Sequence, residues 1–410
     1  MIARHYCVNR TMQAFGIDRL TTNFQPVVDI DTGRVVAHEA LSRASINGAP
    51  VAPDRLLHDA YQSGTADELD SVFIESALRA AATRGLLSPH SLFVNVEPIS
   101  LANGFITAPL LSAPPLVIEI TERALTADPG ALLTSAAALR AAGHLIAIDD
   151  LGAEPASLAL LPLLAPEIVK LDMNLIRRQP DRTTAAMMTA VAAYAERSGA
   201  LVLAEGVETA EHITRARALG ASVAQGWHFG KPSESARDAP GVTVRRAGPG
   251  RHSAAPVRDS IDTTPFGVVS AETPLRVGDR AMLVQVSILL EERAAAAGDS
   301  AVLLSTFQSG DNISENTRRR YDRLIESGCL LTAYSTGASA ALPHPARSVT
   351  VDDADPLAAE WDVVLLTADY AAALTAREID SSRHREGLYE FVLTTDRDLV
   401  TRSARALLAR

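Results

Sequence analysis

Seven short apolar runs in the first 230 residues of this chain end on a side chain that can bind a cation or handle a proton. RVVAH leads to Glu39, LFV to Asn95, LVI to Glu119 and LIAI to Asp149 and Asp150; IV leads to Lys170 and then Asp172, LVLA to Glu205, and SVA to Gln225. If the runs are parallel strands, those side chains share the rim where barrels of this class place their active sites. Glu39, Glu119, Asp149, Asp150 and Glu205 would crowd there, and like charges drive one another towards protonation unless cations intervene. An oxygen-only donor set without His or Cys favours Mg²⁺, Mn²⁺ or Ca²⁺ over zinc. Five carboxylates and an amide suffice for two metals sharing a bridging carboxylate, an arrangement that supports in-line attack of water on a phosphodiester. A nearby Lys170 would hold that water or the phosphate oxygens. Any single carboxylate reads more readily as a helix N-cap or a surface ion pair than as part of a site. Six carboxylate or amide strand ends, each directly after an apolar run, favour the site.

The elements that must position these groups follow from the same runs. FQPVVDI, RVVAHEAL, SLFVNV, LVIEIT, LIAIDD, IVKLD, LVLAEG and SVAQGW read as strands. Helical patterns lie between most of them, at Asp67 to Arg84, Gly130 to Ala142, Arg182 to Ser198 and Ala210 to Leu219. Continuous apolar strands alternating with helices predict a parallel sheet covered by helices. About eight strands in about 215 residues predict an α/β fold, a TIM-like (β/α)8 barrel over residues 1–235. No GxGxxG follows the first strand, so an open dinucleotide-binding sheet has no support. Residues 236–263, rich in Pro, Gly, Ser and Arg without apolar periodicity, read as a linker. Residues 264–410 read as a second, smaller α/β domain. Its strand candidates are AVLLSTF, LLTAYS, WDVVLLT and YEFVLTT; its helix candidates are Arg280 to Ala297, Glu315 to Glu326 and Asp398 to Leu408.

Composition narrows the function. The net charge of -11 argues against electrostatic binding of nucleic acid. An acidic chain that handles a phosphate ester must offset repulsion locally, which again points to bound cations. The two cysteines, Cys7 and Cys329, are far apart and give neither a CxxC zinc site nor a disulfide framework. The N-terminus lacks the apolar core of a signal peptide, and no stretch approaches the ~18 apolar residues of a membrane span. The expectation is a cytoplasmic protein without membrane contact.

The motifs, taken together, resemble the EAL domain of cyclic-di-GMP phosphodiesterases. The signature triplet stands as Glu39-Ala40-Leu41, followed by Ser42-Arg43. FQPVVDI precedes it; VNVEP, IEITE, DDLG, KLD, EGVET and QGWHFGKP follow in order. The resemblance covers about half the chain and implies metal-dependent hydrolysis of cyclic di-GMP to linear pGpG with Mg²⁺ or Mn²⁺. Carried over, it implies that Glu39, Asn95, Glu119 and Asp149 hold a first metal, with Asp149 bridging to a second that Asp150 also binds. Lys170 would orient or deprotonate the attacking water, and Glu205 would complete the network of water and metal. Gln25, Arg43 and Gln225 would contact substrate or support its binding. Glu122, Asp172 and Glu208 would support the ligands from behind, Glu122 by anchoring the loop after the paired aspartates. That loop usually reads DDFGTGYSS in the family and couples metal binding to a homodimer formed through the barrel. Here it reads Asp149-Asp150-Leu151-Gly152-Ala153-Glu154-Pro155-Ala156-Ser157, which lacks the Phe, the second Gly and the Tyr and adds a negative charge. Binding without turnover is therefore the alternative reading, a cyclic-di-GMP receptor. A third is a barrel that serves only as an interaction scaffold.

Other residues carry two readings each. Trp227 stacks on guanine or packs at the rim. His38 reads as a packed strand histidine, His144 and His212 as structural, and Arg177-Arg178 as a solvated helix end. In the C-terminal region, FQSGDNISENTRRRYDRLIESG reads as a strand end, a polar loop and an N-capped amphipathic helix. With the apolar strand after it, this pattern resembles the DICT sensory domain, from which no particular ligand follows; the expectation is that this domain modulates the barrel, through dimer geometry or through a signalling partner or ligand bound there.

Overall fold

The computed structural model describes residues 11–102, 110–121, 129–151, 157–177, 181–236, 239–243, 263–337, 342–379 and 387–410. The chain forms two compact units, Met1–Ala153 with Pro166–Pro256, and Glu154–Ala165 with Val257–Arg410.

The first unit is a closed barrel. Its strands are β1 (Arg19–Asp29), β2 (Val35–Ile46), β3 (Ala49–Val51), β4 (Leu92–Asn95), β5 (Val117–Thr121), β6 (Leu145–Leu151), β7 (Ile168–Leu171), β8 (Leu201–Ala204) and β9 (Val223–Gln225). They run in the order β1-β9-β8-β7-β6-β5-β4-β2-β3, and β1 pairs with β2 to close the ring. Six of the eight ring contacts are parallel, but β1 is antiparallel to both β2 and β9. The all-parallel expectation thus fails at the first strand, for a simple reason. Only residues 30–34 separate β1 from β2, whereas a parallel crossover needs about a dozen residues or more. A tight turn forms instead: Asp29 Oδ1 accepts from the backbone and hydroxyl of Thr32 at 2.8 and 2.7 Å.

Inside the barrel, side-chain alternation separates a plug from a rim. Val27, Ala37, Phe93, Val117, Ala147, Ile168, Leu203 and Val223, one from each ring strand, form one buried apolar layer. Two residues nearer the rim, on the same strands or, for Glu205, directly after its end, stand Gln25, Glu39, Asn95, Glu119, Asp149, Lys170, Glu205 and Gln225. A one-residue slip of β5 would exchange Val117 and Glu119 for Ile118 and Ile120, so the apolar layer and the polar ring fix the same register. Val242 joins the plug, with its N–H on the His90 carbonyl at 3.0 Å, and the Gly241 N–H bonds the Val36 carbonyl at 2.9 Å. The chain expected to be linker from 236 is therefore still part of the barrel at 242. Residues 237–238 and 244–262 of that stretch lie outside the described residues.

The second unit is a seven-stranded sheet. Its strands are β10 (Arg276–Asp279), β11 (Ala301–Ser309), β12 (Leu330–Thr336), β13 (Arg347–Thr350), β14 (Glu360–Thr367), β15 (Ala371–Glu378) and β16 (Leu388–Thr394). The order is β10-β16-β15-β14-β11-β12-β13, parallel only where β12 meets β11 and β13. The helices Arg280–Ala297 and Glu315–Glu326 bury Leu283, Leu290, Tyr321 and Leu324 against one face. The helices Pro265–Ser270 and Arg397–Leu408 pack on the other, where Val268, Val269 and Leu399 meet Val392.

The helix Ser157–Leu164 belongs to this second unit, although its sequence lies in the crossover between β6 and β7. It packs against β14 and the helix Arg397–Leu408. Arg405 donates to the carbonyls of Leu163 and Pro162 at 2.9 and 3.0 Å, satisfying the helix's C-terminal end. SLALLPLL has no polar face, so a helix of this sequence must be covered on all sides; Leu160, Leu161, Leu163 and Leu164 are buried. Among the described residues, no helix is long and apolar enough to cross a membrane.

Candidate active site

Eight of the predicted residues converge inside the barrel mouth. The Lys170 ammonium lies 2.5 Å from Glu119 Oε1, 2.7 Å from Glu205 Oε1, 2.8 Å from Asp149 Oδ1 and 3.9 Å from Glu39 Oε1. Asn95 donates from Nδ2 to Glu39 Oε1 at 3.0 Å, which leaves its amide oxygen for another partner. Gln225 donates from Nε2 to Glu39 Oε2 and, at 3.1 Å, to Gln25 Oε1. Glu39, Glu119, Lys170, Gln25 and Gln225 are all buried.

The paired aspartates reach the mouth through a local break in the sheet. Ile148 pairs with Val169 and Leu151 with Leu171, so β6 carries one residue more than β7 across this interval. Such a bulge bends a strand and re-aims its side chains. Asp150 takes φ 54, a left-handed conformation that a non-glycine residue adopts at a cost of about 1 kcal/mol, and its N–H bonds Asp149 Oδ1 at 3.0 Å. Oxygens of Asp149, Asp150 and Glu205 lie within 4.8 Å of one another.

The electrostatics show a shortage of positive charge. Burial pushes the Lys170 amine down, but Asp149, Glu119, Glu205 and Glu39 outweigh it and hold the amine well above its usual range. Burial also raises Glu39, yet Lys170 and the bonds from Gln225 and Asn95 leave it below its ordinary value. The other carboxyls lack enough compensation. Burial, with Glu39 and Asp149 nearby, pushes Glu119 well up. Burial chiefly pushes Glu205 up to about 8, and burial followed by Asp149 pushes Asp150 up to about 6. One lysine thus faces four carboxylates in direct or near contact, with Asp150 beside them. This is the donor chemistry of hard divalent cations, and the residues present fit such ions. With burial pushing its carboxyl up to about 8, Glu205 would carry a proton near neutral pH in the metal-free chain, and cation binding there would release it. The apparent affinity for Mn²⁺ should rise between about pH 6 and about pH 8. Calorimetry in two buffers of different ionisation heat measures the released proton; a constant affinity across that range would mean Glu205 was already ionised.

The remaining predicted residues are placed variously. Arg43 stands two alternations above Glu39 on β2; its Nη1 donates to the Ser42 carbonyl at 2.7 Å, and among the described residues it forms no ion pair. Asp172 caps the short helix Met173–Arg177, accepting the Asn174 N–H at 2.7 Å, and its charge bears on Asp150. Glu208 is not in the cluster: it pairs with Arg177 at 2.8 Å. Glu122 and residues 152–156 of the altered loop lie outside the described residues. His144 is structural, accepting the Leu116 N–H at 3.0 Å, and His212 accepts that of Glu208 at 3.2 Å.

Two features escaped the sequence reading. Arg177, expected to be a solvated helix end, ties down the loop after Glu205 through the Gly206 carbonyl at 3.3 Å and through Glu208. Gly206 has φ 61, and a Cβ there would lie 2.5 Å from that of Met173, so this loop requires glycine. Asp70, buried in the helix Ala66–Arg84, accepts the Glu97 N–H at 3.0 Å and so anchors the segment after Asn95. An aspartate on the apolar face of a helix was the one available signal.

Residues 8–232 match the family model of the EAL domain, and residues 268–379 match that of a sensory domain in diguanylate cyclases and two-component systems. The cyclic di-GMP phosphodiesterase RocR of Pseudomonas aeruginosa is 30% identical over 222 residues, 51% of this chain and 56% of RocR. Rv1357c of Mycobacterium tuberculosis, an uncharacterized protein, is 29% identical over 249 residues, 56% of this chain and 80% of that one. A manganese and cyclic-di-GMP complex of Klebsiella pneumoniae BlrP1 aligns with TM-score 0.46 and 30% identity, over 52% of this chain and 56% of BlrP1. The chain spans 31% and 56% of the length of the first two curated relatives. With the family model covering more than half of its length, the chain belongs to the EAL domain family.

Proposed function

We propose that the barrel hydrolyses cyclic di-GMP to linear pGpG with two divalent cations. The observation that carries the proposal is the gathering of Glu39, Glu119, Asp149 and Glu205 around Lys170. Glu39, Asn95, Glu119 and Asp149 would hold one cation, and Asp149 with Asp150 the other. Cations bound there supply charge neutralisation at the phosphodiester and lower the pKa of a bound water. Lys170, kept protonated by its neighbours, suits orientation of the attacking water by donation better than removal of its proton. Glu205, the carboxylate 2.7 Å from Lys170, would accept that proton. Arg43, free of carboxylate partners among the described residues, is available to a substrate phosphate. Gln25 and Gln225, bonded to each other, border the same space.

The C-terminal domain is proposed to modulate this reaction. Support comes from chain connectivity: the segment after Asp150 leads directly into the helix Ser157–Leu164, which is built into the second unit. The departure from DDFGTGYSS in that segment supports the alternative reading, binding without turnover. Incubating the full chain with cyclic di-GMP and Mn²⁺ and separating the nucleotides separates the two readings. Metal-dependent pGpG is the expected result; tight binding with no product would make the protein a receptor. The cytoplasmic location and a homodimer through the barrel are part of this proposal.

A further inference from the structure

The geometry points to Trp227 as a stacking platform for one base of the dinucleotide, an inference that rests on the proposed substrate. Sequence alone left two readings, stacking or rim packing, and Trp227 is 60% exposed, so it does not pack into the rim. Its position is fixed all the same. It follows Gln225, which bonds Glu39 and Gln25 in the mouth, by two residues. Between them, Gly226 presses so close to the next loop that a Cβ would lie 2.1 Å from the Val207 carbonyl oxygen. The turn is closed by bonds from the Phe229 and Gly230 N–H groups to the Gly226 carbonyl at 3.0 and 3.1 Å. It is tied to the loop after Glu205 by the His228 N–H on the Val207 carbonyl at 3.0 Å.

The indole is also held from one side. The Lys231 ammonium lies 4.5 Å from its ring centroid, within the range of cation–π attraction. A cation on one face orients the ring and leaves the opposite face for a flat ligand. Single exposed apolar side chains are ordinary on protein surfaces. This one is a large aromatic on a rigid turn beside the site, and every nucleobase presents a π-face to such a ring. Cyclic di-GMP carries two guanines, so a platform beside the phosphate-handling residues would engage one of them. Stacking is tolerant of base identity; Trp227 contributes affinity for a purine, and the choice of guanine must come from polar groups.

The chain has two tryptophans, and Trp361 lies in the second unit, so W361F leaves Trp227 as the only indole. Titrating full-length W361F with cyclic di-GMP and calcium should quench its emission, with the midpoint that calorimetry gives for binding. If W361F does not fold, the emission difference between the unaltered protein and W227F gives the same reading. W227A should raise KM by roughly 5- to 150-fold, the range for losing one stacked base, with the loss falling on KM rather than on kcat. W227F should recover most of it. Calorimetric binding with unchanged emission, and W227A affinity within about twofold of the parent, would overturn the platform and leave the proposed function standing. Absence of cyclic-di-GMP binding by the unaltered protein would overturn both.

Discussion

Replacing Lys170 with methionine should reduce turnover of cyclic di-GMP by roughly three orders of magnitude, within the range for a group that handles the reacting proton or water. The same variant should reveal the second role of this lysine. Among the described residues, Lys170 is the only basic side chain in ion-pair contact with Glu39, Glu119, Asp149 and Glu205. Removing one partner from a buried charge cluster costs about 3–5 kcal/mol, because the remaining charges are left uncompensated. The metal-free variant should therefore melt well below its parent at neutral pH. The difference should narrow as pH falls, because the orphaned carboxylates take up protons instead. Divalent cations should restore more melting temperature to the variant than to the parent, since they supply the charge that Lys170 no longer does. Thermal denaturation with and without Mn²⁺, beside turnover rates, checks both parts. A variant with near-parental turnover would remove Lys170 from the chemistry. An unchanged melting temperature would remove it from the electrostatic account.

Asp149→Asn is expected to have the second largest effect. The substitution is nearly isosteric, and the new amide oxygen can still accept the Asp150 N–H, so the bulge in β6 should persist. What it removes is the charge of the residue proposed to bridge two cations. Loss of several kcal/mol of charge stabilisation at the transition state corresponds to a fall of roughly 10³-fold in kcat. Mn²⁺ affinity should weaken in parallel, while the melting temperature of the metal-free protein should hold or rise, because one of the repelling carboxylates is gone. Calorimetric Mn²⁺ titration beside turnover tests this. A loss of turnover with metal affinity intact would mean that Asp149 acts on substrate rather than on cations.

Much of the site was legible because one rule places it. In each ring strand an apolar residue of the plug and a polar residue of the rim share a face, two positions apart. The pairs Val117 with Glu119, Ile168 with Lys170 and Leu203 with Glu205 announce both the strand and its direction. The antiparallel β1 was less visible, since Val27 with Gln25 obeys the same spacing in either direction and only the short turn after Asp29 settles it. In the second unit, AVLLSTF and WDVVLLT are rich in residues that favour strands, and the helix Arg280–Ala297 fell where its pattern placed it. β15 was missed: AAALTARE carries the alanines of a helix, and its position between β14 and β16 overrides that preference. The allegiance of Ser157–Leu164 was beyond sequence reasoning. An apolar helix announces that it will be buried but not by what.

The central claim is that the acidic ring at the barrel mouth holds divalent cations. Anomalous diffraction from crystals grown with Mn²⁺ tests it most directly. Two manganese peaks bounded by Glu39, Asn95, Glu119, Asp149 and Asp150 are expected, and both should weaken or vanish in Asp149→Asn. Ordered crystals that show Lys170 still paired with Glu119, Asp149 and Glu205, and no manganese among these side chains at saturating concentration, would contradict it.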